Sequence, residues 1–184
     1  MRASTQIRSL LREGDRRTVG HVAEVVETVL REPKLVSAVV ECTFEADERI
    51  RMRAADVLEK ISRKRVEELQ PYALALLGLF EENEQQELRW HLAVILPRLT
   101  LNANERSRTS RALQQCMTAK SSIVKAFALQ GLSDLTIQEP GLTPLVLDLL
   151  RSAERDGTPA MRARSRKLLK VLERRAEKAR KKTD

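Results

Sequence analysis

Apolar and polar positions follow one another along this chain with the period of a helix, and one stretch of that pattern recurs. Four segments align without gaps: IRMRAADVL from Ile50, LRWHLAVIL from Leu88, VKAFALQGL from Val124 and MRARSRKLL from Met161, at spacings of 38, 36 and 37 residues. The first position is aliphatic or Met in all four, and the ninth is always leucine: Leu58, Leu96, Leu132 and Leu169. The fifth holds Ala54, Leu92, Ala128 or Ser165, and the eighth Val57, Ile95, Gly131 or Leu168. Apolar or small residues at i, i+4, i+7 and i+8 lie on one side of an α-helix, so each segment predicts a helix with one buried stripe.

Three positions before each opening residue stand Asp47, Gln85, Ser121 and Thr158. Asp, Ser and Thr side chains accept hydrogen bonds from the N–H groups that a helix start leaves open, and Pro159 suits a first helical position. The helix starts are therefore marked independently of the apolar pattern. Residues 33–45, 71–82, 104–118 and 142–153 are each apolar on at least one side and predict partner helices, which makes the repeating unit a helical hairpin. Residues 72–80 are apolar nearly all round, which predicts a helix covered by neighbours on both sides. Residues 1–31 predict two further helices, around Arg8-Ser9-Leu10-Leu11 and over 19–30, outside the repeat consensus. Such a pair is expected to cap an apolar end of the stack.

This pattern resembles the HEAT and armadillo-like helical repeats, whose second helix carries a Val or Ile, then Arg, then small residues and a Leu; IRMRAADVL is the nearest copy. The chain is also similar to uncharacterised bacterial HEAT-like repeat proteins, a likeness that implies no activity. The resemblance covers residues 33–173. It implies an all-α fold, a right-handed HEAT-like α-α superhelix (solenoid) of about ten helices in five antiparallel pairs, monomeric, with the second helices lining a concave face. Residues 1–173 are then one repeat domain, with 1–31 as its cap, and 174–184 a basic C-terminal tail.

The net charge of +8 changes this picture only locally. Residues 162–182 hold eleven Lys or Arg against Glu173 and Glu177, whereas residues 1–161 contain 23 of each sign. The longest apolar run, residues 72–80, is far short of the roughly 20 residues of a membrane span. Met1 to Gly20 carries five arginines and no apolar stretch longer than Leu10-Leu11, so no secretory signal is expected and a cytoplasmic location is. Cys42 and Cys116, 74 positions apart, are expected as buried thiols in a reducing compartment rather than as zinc ligands.

Candidate chemistry is sparse. Phosphate-binding glycine loops, HExxH and GxSxG are all missing, and the carboxylates stand among charges expected to face solvent, so no enzyme, cofactor or metal is expected. The recurring second-position base, Arg51, Arg89, Lys125 and Arg162, is expected to bond acids or backbone of the adjacent repeat. The third and fourth positions should face the concave side or the groove between repeats: Met52 and Arg53, Trp90 and His91, Ala126 and Phe127, Ala163 and Arg164. The sequence leaves open whether Trp90 anchors a partner or packs between helices, and it offers His91 no second ligand. The expected function is a non-enzymatic protein-binding surface centred on Arg53, Trp90, His91, Phe127, Gln130 and Arg164. The alternatives are nucleic-acid binding through the basic C-terminal segment and, less well matched, a HEAT-like DNA glycosylase. That family's concave aromatics and basic face are missing, because aromatic residues make up only 3% of the chain and residues 1–161 carry no net charge.

Overall fold

All four repeated segments are helical, with Leu96 alone in the 3-10 turn that follows its α-helix, and three of the four helices begin beside a side chain that faces their open N–H groups. In the computed structural model, which describes residues 2–13 and 20–180, ten α-helices are present and no strand is found among the described residues. Asp47 accepts a hydrogen bond from the Arg49 backbone N–H at 2.9 Å at the start of α4 (Glu48–Ser62). Ser121 caps α8 (Ser122–Leu135) through the Val124 N–H, and Thr158 stands before α10 (Pro159–Arg180) facing the Met161 N–H, each at 3.4 Å. Gln85, before α6 (Gln86–Ile95), makes no cap. Its amide accepts from Arg51 Nε and donates to the Glu48 carbonyl, both at 2.8 Å, so it ties α6 back to α4.

The chain divides into two compact units, Met1–Thr100 and Leu101–Asp184. The first contains α1 (Arg2–Arg12), α2 (Val22–Arg31), α3 (Val36–Cys42), α4, α5 (Ala73–Glu82) and α6, with short 3-10 turns at Pro33–Leu35, Val66–Tyr72 and Leu96–Arg98. Helix α4 is its centre, packing against α1, α2, α3 and α6. Ile50, Ala54, Val57 and Leu58 of its stripe, and Leu88, Leu92, Ile95 and Leu96 of the next, are all fully buried. Burying a leucine-sized side chain contributes roughly 1.5–3 kcal/mol, so these two stripes are the main cohesive element of the unit. Pro97, which lacks an N–H, coincides with the change from α6 to a 3-10 turn.

Polar side chains join the same helices at about the repeat distance. Glu59, only 3% exposed, receives Arg63 at 2.7 Å from its own helix and Arg98 at 2.9 Å from beyond α6. Arg98 also donates to Ser62 Oγ at 2.6 Å. Burial alone would raise the Glu59 carboxyl, but the two guanidiniums overcome it and hold it below its ordinary value of 4.5. Gln70 exchanges two hydrogen bonds with the backbone of Thr100, at 2.8 and 2.9 Å.

The second unit contains α7 (Ala103–Cys116), α8, a 3-10 turn at Pro140–Leu142, α9 (Thr143–Asp156) and α10. Helix α8 packs against α7, α9 and α10, and α10 also packs against α9. Asn102 and Glu105 form a reciprocal capping box at the start of α7. The stripe residues Val124, Ala128, Gly131 and Leu132 are buried, as are Met161, Ser165, Leu168 and Leu169. Gln138 accepts from the Leu101 N–H at 3.0 Å, and Arg106 bridges the Glu139 carboxylate at 3.0 Å and the Leu101 carbonyl at 2.8 Å.

Two expectations are corrected. Leu74 is 59% exposed and Gly78 faces open space, so α5 is not covered all round. Residues 174–180 of the basic C-terminal segment are the last turns of α10, while 181–184 lie outside the described residues. Glu59 is a carboxylate in the interior, not among solvent-facing charges. Cys42 and Cys116 are buried and in no disulfide, with the Cys42 thiol pushed up to about 11 mainly by burial.

Because the folded state holds Glu59 ionised, its contribution is fully present above about pH 4.5 and is lost as the pH falls through the lowered folded value. Arg98→Met is expected to cost about 2 kcal/mol at pH 7, since one guanidinium remains to compensate the buried carboxylate. That difference should shrink below pH 4.5 in urea titrations of the two proteins; an equal difference at pH 7 and pH 3 would contradict the assignment.

Candidate binding site

Fourth positions of successive repeats meet inside each unit. In the first, Arg53 of α4 and His91 of α6 share a recess of about 190 Å³ with Met52, Asp56 and Trp90. Its wall is mostly apolar, and Trp90 and His91 are half-buried. These residues stand beside the buried stripes, which is why packing of α4 on α6 leaves them around a shared hollow. Asp56 forms an ion pair with Lys60 one turn along α4.

His91 is the least satisfied polar group of the recess. Its Nδ1 is buried without a hydrogen-bond partner, which costs on the order of 1–3 kcal/mol. Burial lowers its pKa to about 4, against the pull of the Asp56 and Glu59 carboxylates, so the ring is neutral near pH 7. The Trp90 and His91 rings lie 5.8 Å apart and tilted. A neutral imidazole beside an indole and a thioether offers an apolar, weakly polar-edged surface, suited to contact rather than to proton transfer at neutral pH.

Arg53 does not belong to that surface as a donor. It is 1% exposed, and its Nη1 donates to the carbonyls of Leu11, at 2.8 Å, and Glu13. It forms the floor of the recess and ties α4 to the end of α1. Gly20, at φ +51°, passes close over it: a Cβ there would stand 2.8 Å from the Glu13 carbonyl and 3.2 Å from Arg53 Cζ. The physical reason for the correction is the end of α1, whose terminal carbonyls need donors and sit where no repeat consensus would place them.

In the second unit the Arg164 guanidinium lies over the Phe127 ring, 4.3 Å from its centroid. Both are half-buried. Burial pulls the Arg164 pKa down and the Asp134 carboxylate pulls it up. Gln130 spends its amide N–H groups on Asp134, at 3.0 Å to each oxygen. Of the recurring bases, Arg51 donates to Gln85 and to the Glu45 and Ala46 carbonyls, while Arg89 pairs with Glu84 at 2.9 Å. Arg162 is exposed.

A larger recess of about 420 Å³ in the second unit was not indicated by the repeat. It is bordered by α7 and the Pro140–Leu142 turn and lined by Arg106, Ser110, Arg111, Gln114 and Glu139 among others. Its polar groups are largely engaged with one another: Arg106 with Glu139, Ser110 with Gln114. The smaller recess is the better candidate, because it alone combines the single tryptophan with a buried unpartnered polar atom. Among the described residues no cluster of His, Cys, Asp or Glu could hold a metal, and no helix is long and apolar enough to cross a membrane. No family model matches the chain, and no curated protein matches it either.

A proton-NMR titration is expected to place the His91 midpoint near 4, and Asp56→Asn should lower it further by removing a carboxylate that favours the charged ring. The unfolded imidazole takes its proton near 6.5, so His91 makes the folded chain progressively less stable as the pH falls from 6.5 towards 4. A His91 midpoint at or above 6.5 would show the recess to be open to water.

Proposed function

We propose that this chain is a non-enzymatic binding protein of HEAT-like helical repeats, a solenoid that engages another protein, with the Trp90–His91 recess as its anchor point. The observation that carries this reading is the size and lining of that recess. About 190 Å³ with mostly apolar walls accommodates one inserted side chain of a partner, whereas cofactors and drug-sized ligands occupy roughly 300–1,000 Å³. Tryptophan in a pre-formed hollow is the residue type that most often dominates association energies. The floor is held in place by Arg53 and the walls by packed helices, so little ordering is needed on binding.

A phosphate backbone is a poorer occupant of this recess. Residues 1–100 contain 16 Lys or Arg against 17 Asp or Glu, and Asp56 stands at its edge. The same balance disfavours the DNA glycosylase alternative, which asks for aromatics on a basic concave face.

A photo-reactive amino acid placed at Met52 is expected to cross-link one discrete protein in a cell lysate, whereas the same group at the exposed Glu27 of α2 gives only background. Trp90→Ala should weaken the captured partner's affinity by roughly thirtyfold, corresponding to about 2 kcal/mol. Indistinguishable adducts from the two positions, or unchanged affinity, would refute the proposal.

A further inference from the structure

The excess positive charge of this chain belongs to its second unit. Residues 101–184 hold 18 Lys or Arg against 9 Asp or Glu, a net +9. Most of the excess is on α10. Its Arg162, Arg166, Lys167, Lys170 and Arg174 are all exposed, and among the described residues no side-chain hydrogen bond or ion pair engages any of them. At 100° per residue the five fall within an arc of about 140°, opposite the buried Met161, Ser165, Leu168, Leu169 and Leu172. They extend over about 18 Å of helix at 1.5 Å per residue.

An ordinary solvated helix face does not account for this arrangement. Late in α4 the i, i+4 charges are opposite in sign and paired, Asp56 with Lys60 and Glu59 with Arg63. On α10 the equivalent steps, Arg162 to Arg166 to Lys170 to Arg174, are like-charged throughout, a spacing that repels. Nor does the helix dipole explain it. Cations favour the C-terminal turn, whereas Arg162 and Arg166 occupy the first two turns, and the first turn contains no acid. Glu173 and Glu177 fall within the same arc, but among the described residues no ion pair joins either to the row, and the face stays net positive.

We infer that the exposed row Arg162, Arg166, Lys167, Lys170 and Arg174 of α10 is a docking surface for the phosphate backbone of duplex DNA. A regular row of unpaired cations complements a regular row of phosphates. The one aromatic of the unit, Phe127, lies beneath Arg164, so the stacking platform that single-stranded nucleic acid uses is not presented. The apolar side of α10 is buried within the unit, which removes the face a membrane-surface helix would insert. A B-form duplex offers a groove wide enough for a helix between its phosphate rows, unlike the deep, narrow major groove of an RNA duplex. Charge spaced evenly along the helix matches the phosphate rows rather than particular base edges, so the contact is to backbone and tolerant of sequence. This inference does not depend on the recess of the first unit.

The test is fluorescence anisotropy of the full chain with a labelled 20-base-pair duplex DNA. With four to five phosphates neutralised, affinity is expected to fall roughly two-hundredfold between 50 and 200 mM salt. Replacing Arg162, Arg166, Lys170 and Arg174 together by Ala should weaken binding at least tenfold and flatten the salt dependence. The variant Arg162→Lys, Arg166→Lys, Arg174→Lys should retain affinity within about threefold, because a backbone contact needs charge rather than a guanidinium fork. Circular dichroism of both variants confirms that the helices persist. The inference is overturned by no binding at 50 mM salt, by an alanine variant that binds like the parent, or by tighter binding to single-stranded DNA, to an RNA duplex or to phosphatidylserine vesicles than to the DNA duplex.

Discussion

An α-helix that is apolar at i, i+4, i+7 and i+8 has to bury that side against another element, and this chain faces that requirement four times at intervals of 36 to 38 residues. The structure meets it within each unit by packing consecutive second helices together, α4 on α6 and α8 on α10. Everything else is arranged around those contacts. The partner helices cover the remaining apolar surface, and the third and fourth positions, just beside the stripe, are left lining hollows or stacked in pairs. The recess around Trp90 and His91 is thus a by-product of the repeat, which is why Arg53 and His91 share one hollow while Phe127 and Arg164, at the same position of later repeats, stack on each other.

Polar bonds at about the repeat distance set the register of the packed helices. Arg51 with Gln85, Arg98 with Glu59 and Ser62, Gln138 with Leu101 and Arg106 with Glu139 each join residues 33 to 39 positions apart. Apolar stripes tolerate sliding; a buried carboxylate held by two guanidiniums tolerates far less, because displacement leaves a charge without compensation. The first unit uses such a cluster at Glu59, and the second relies on neutral or half-exposed bonds.

Local chemistry made much of this legible. The helix starts at Asp47, Ser121 and Thr158 followed from side chains that accept N–H groups, and the buried stripes followed from periodicity alone. What could not be read depends on residues distant in sequence. Arg53 and Arg164 hold the same position of the repeat, yet one is buried on the carbonyls ending α1 and the other covers an aromatic ring. Glu59 looks like one more surface carboxylate until Arg98, 39 residues on, is brought beside it. The exposure of Leu74 was hidden because composition reports how apolar a helix is and not which neighbours reach it. Trp90 and His91 line a recess in the structure, but the depressed imidazole depends on burial that sequence does not encode locally.

Native-state hydrogen exchange tests the recurring buried stripe most directly. Amides over residues 54–58, 92–96, 128–132 and 165–169 are expected to be the slowest in their units, by about a hundredfold or more over those of the 3-10 turns. Exchange in any one of these four stretches as fast as at Pro33–Leu35 or Pro140–Leu142 would show that the stripe there is not the interior, and the account of the repeat would fail.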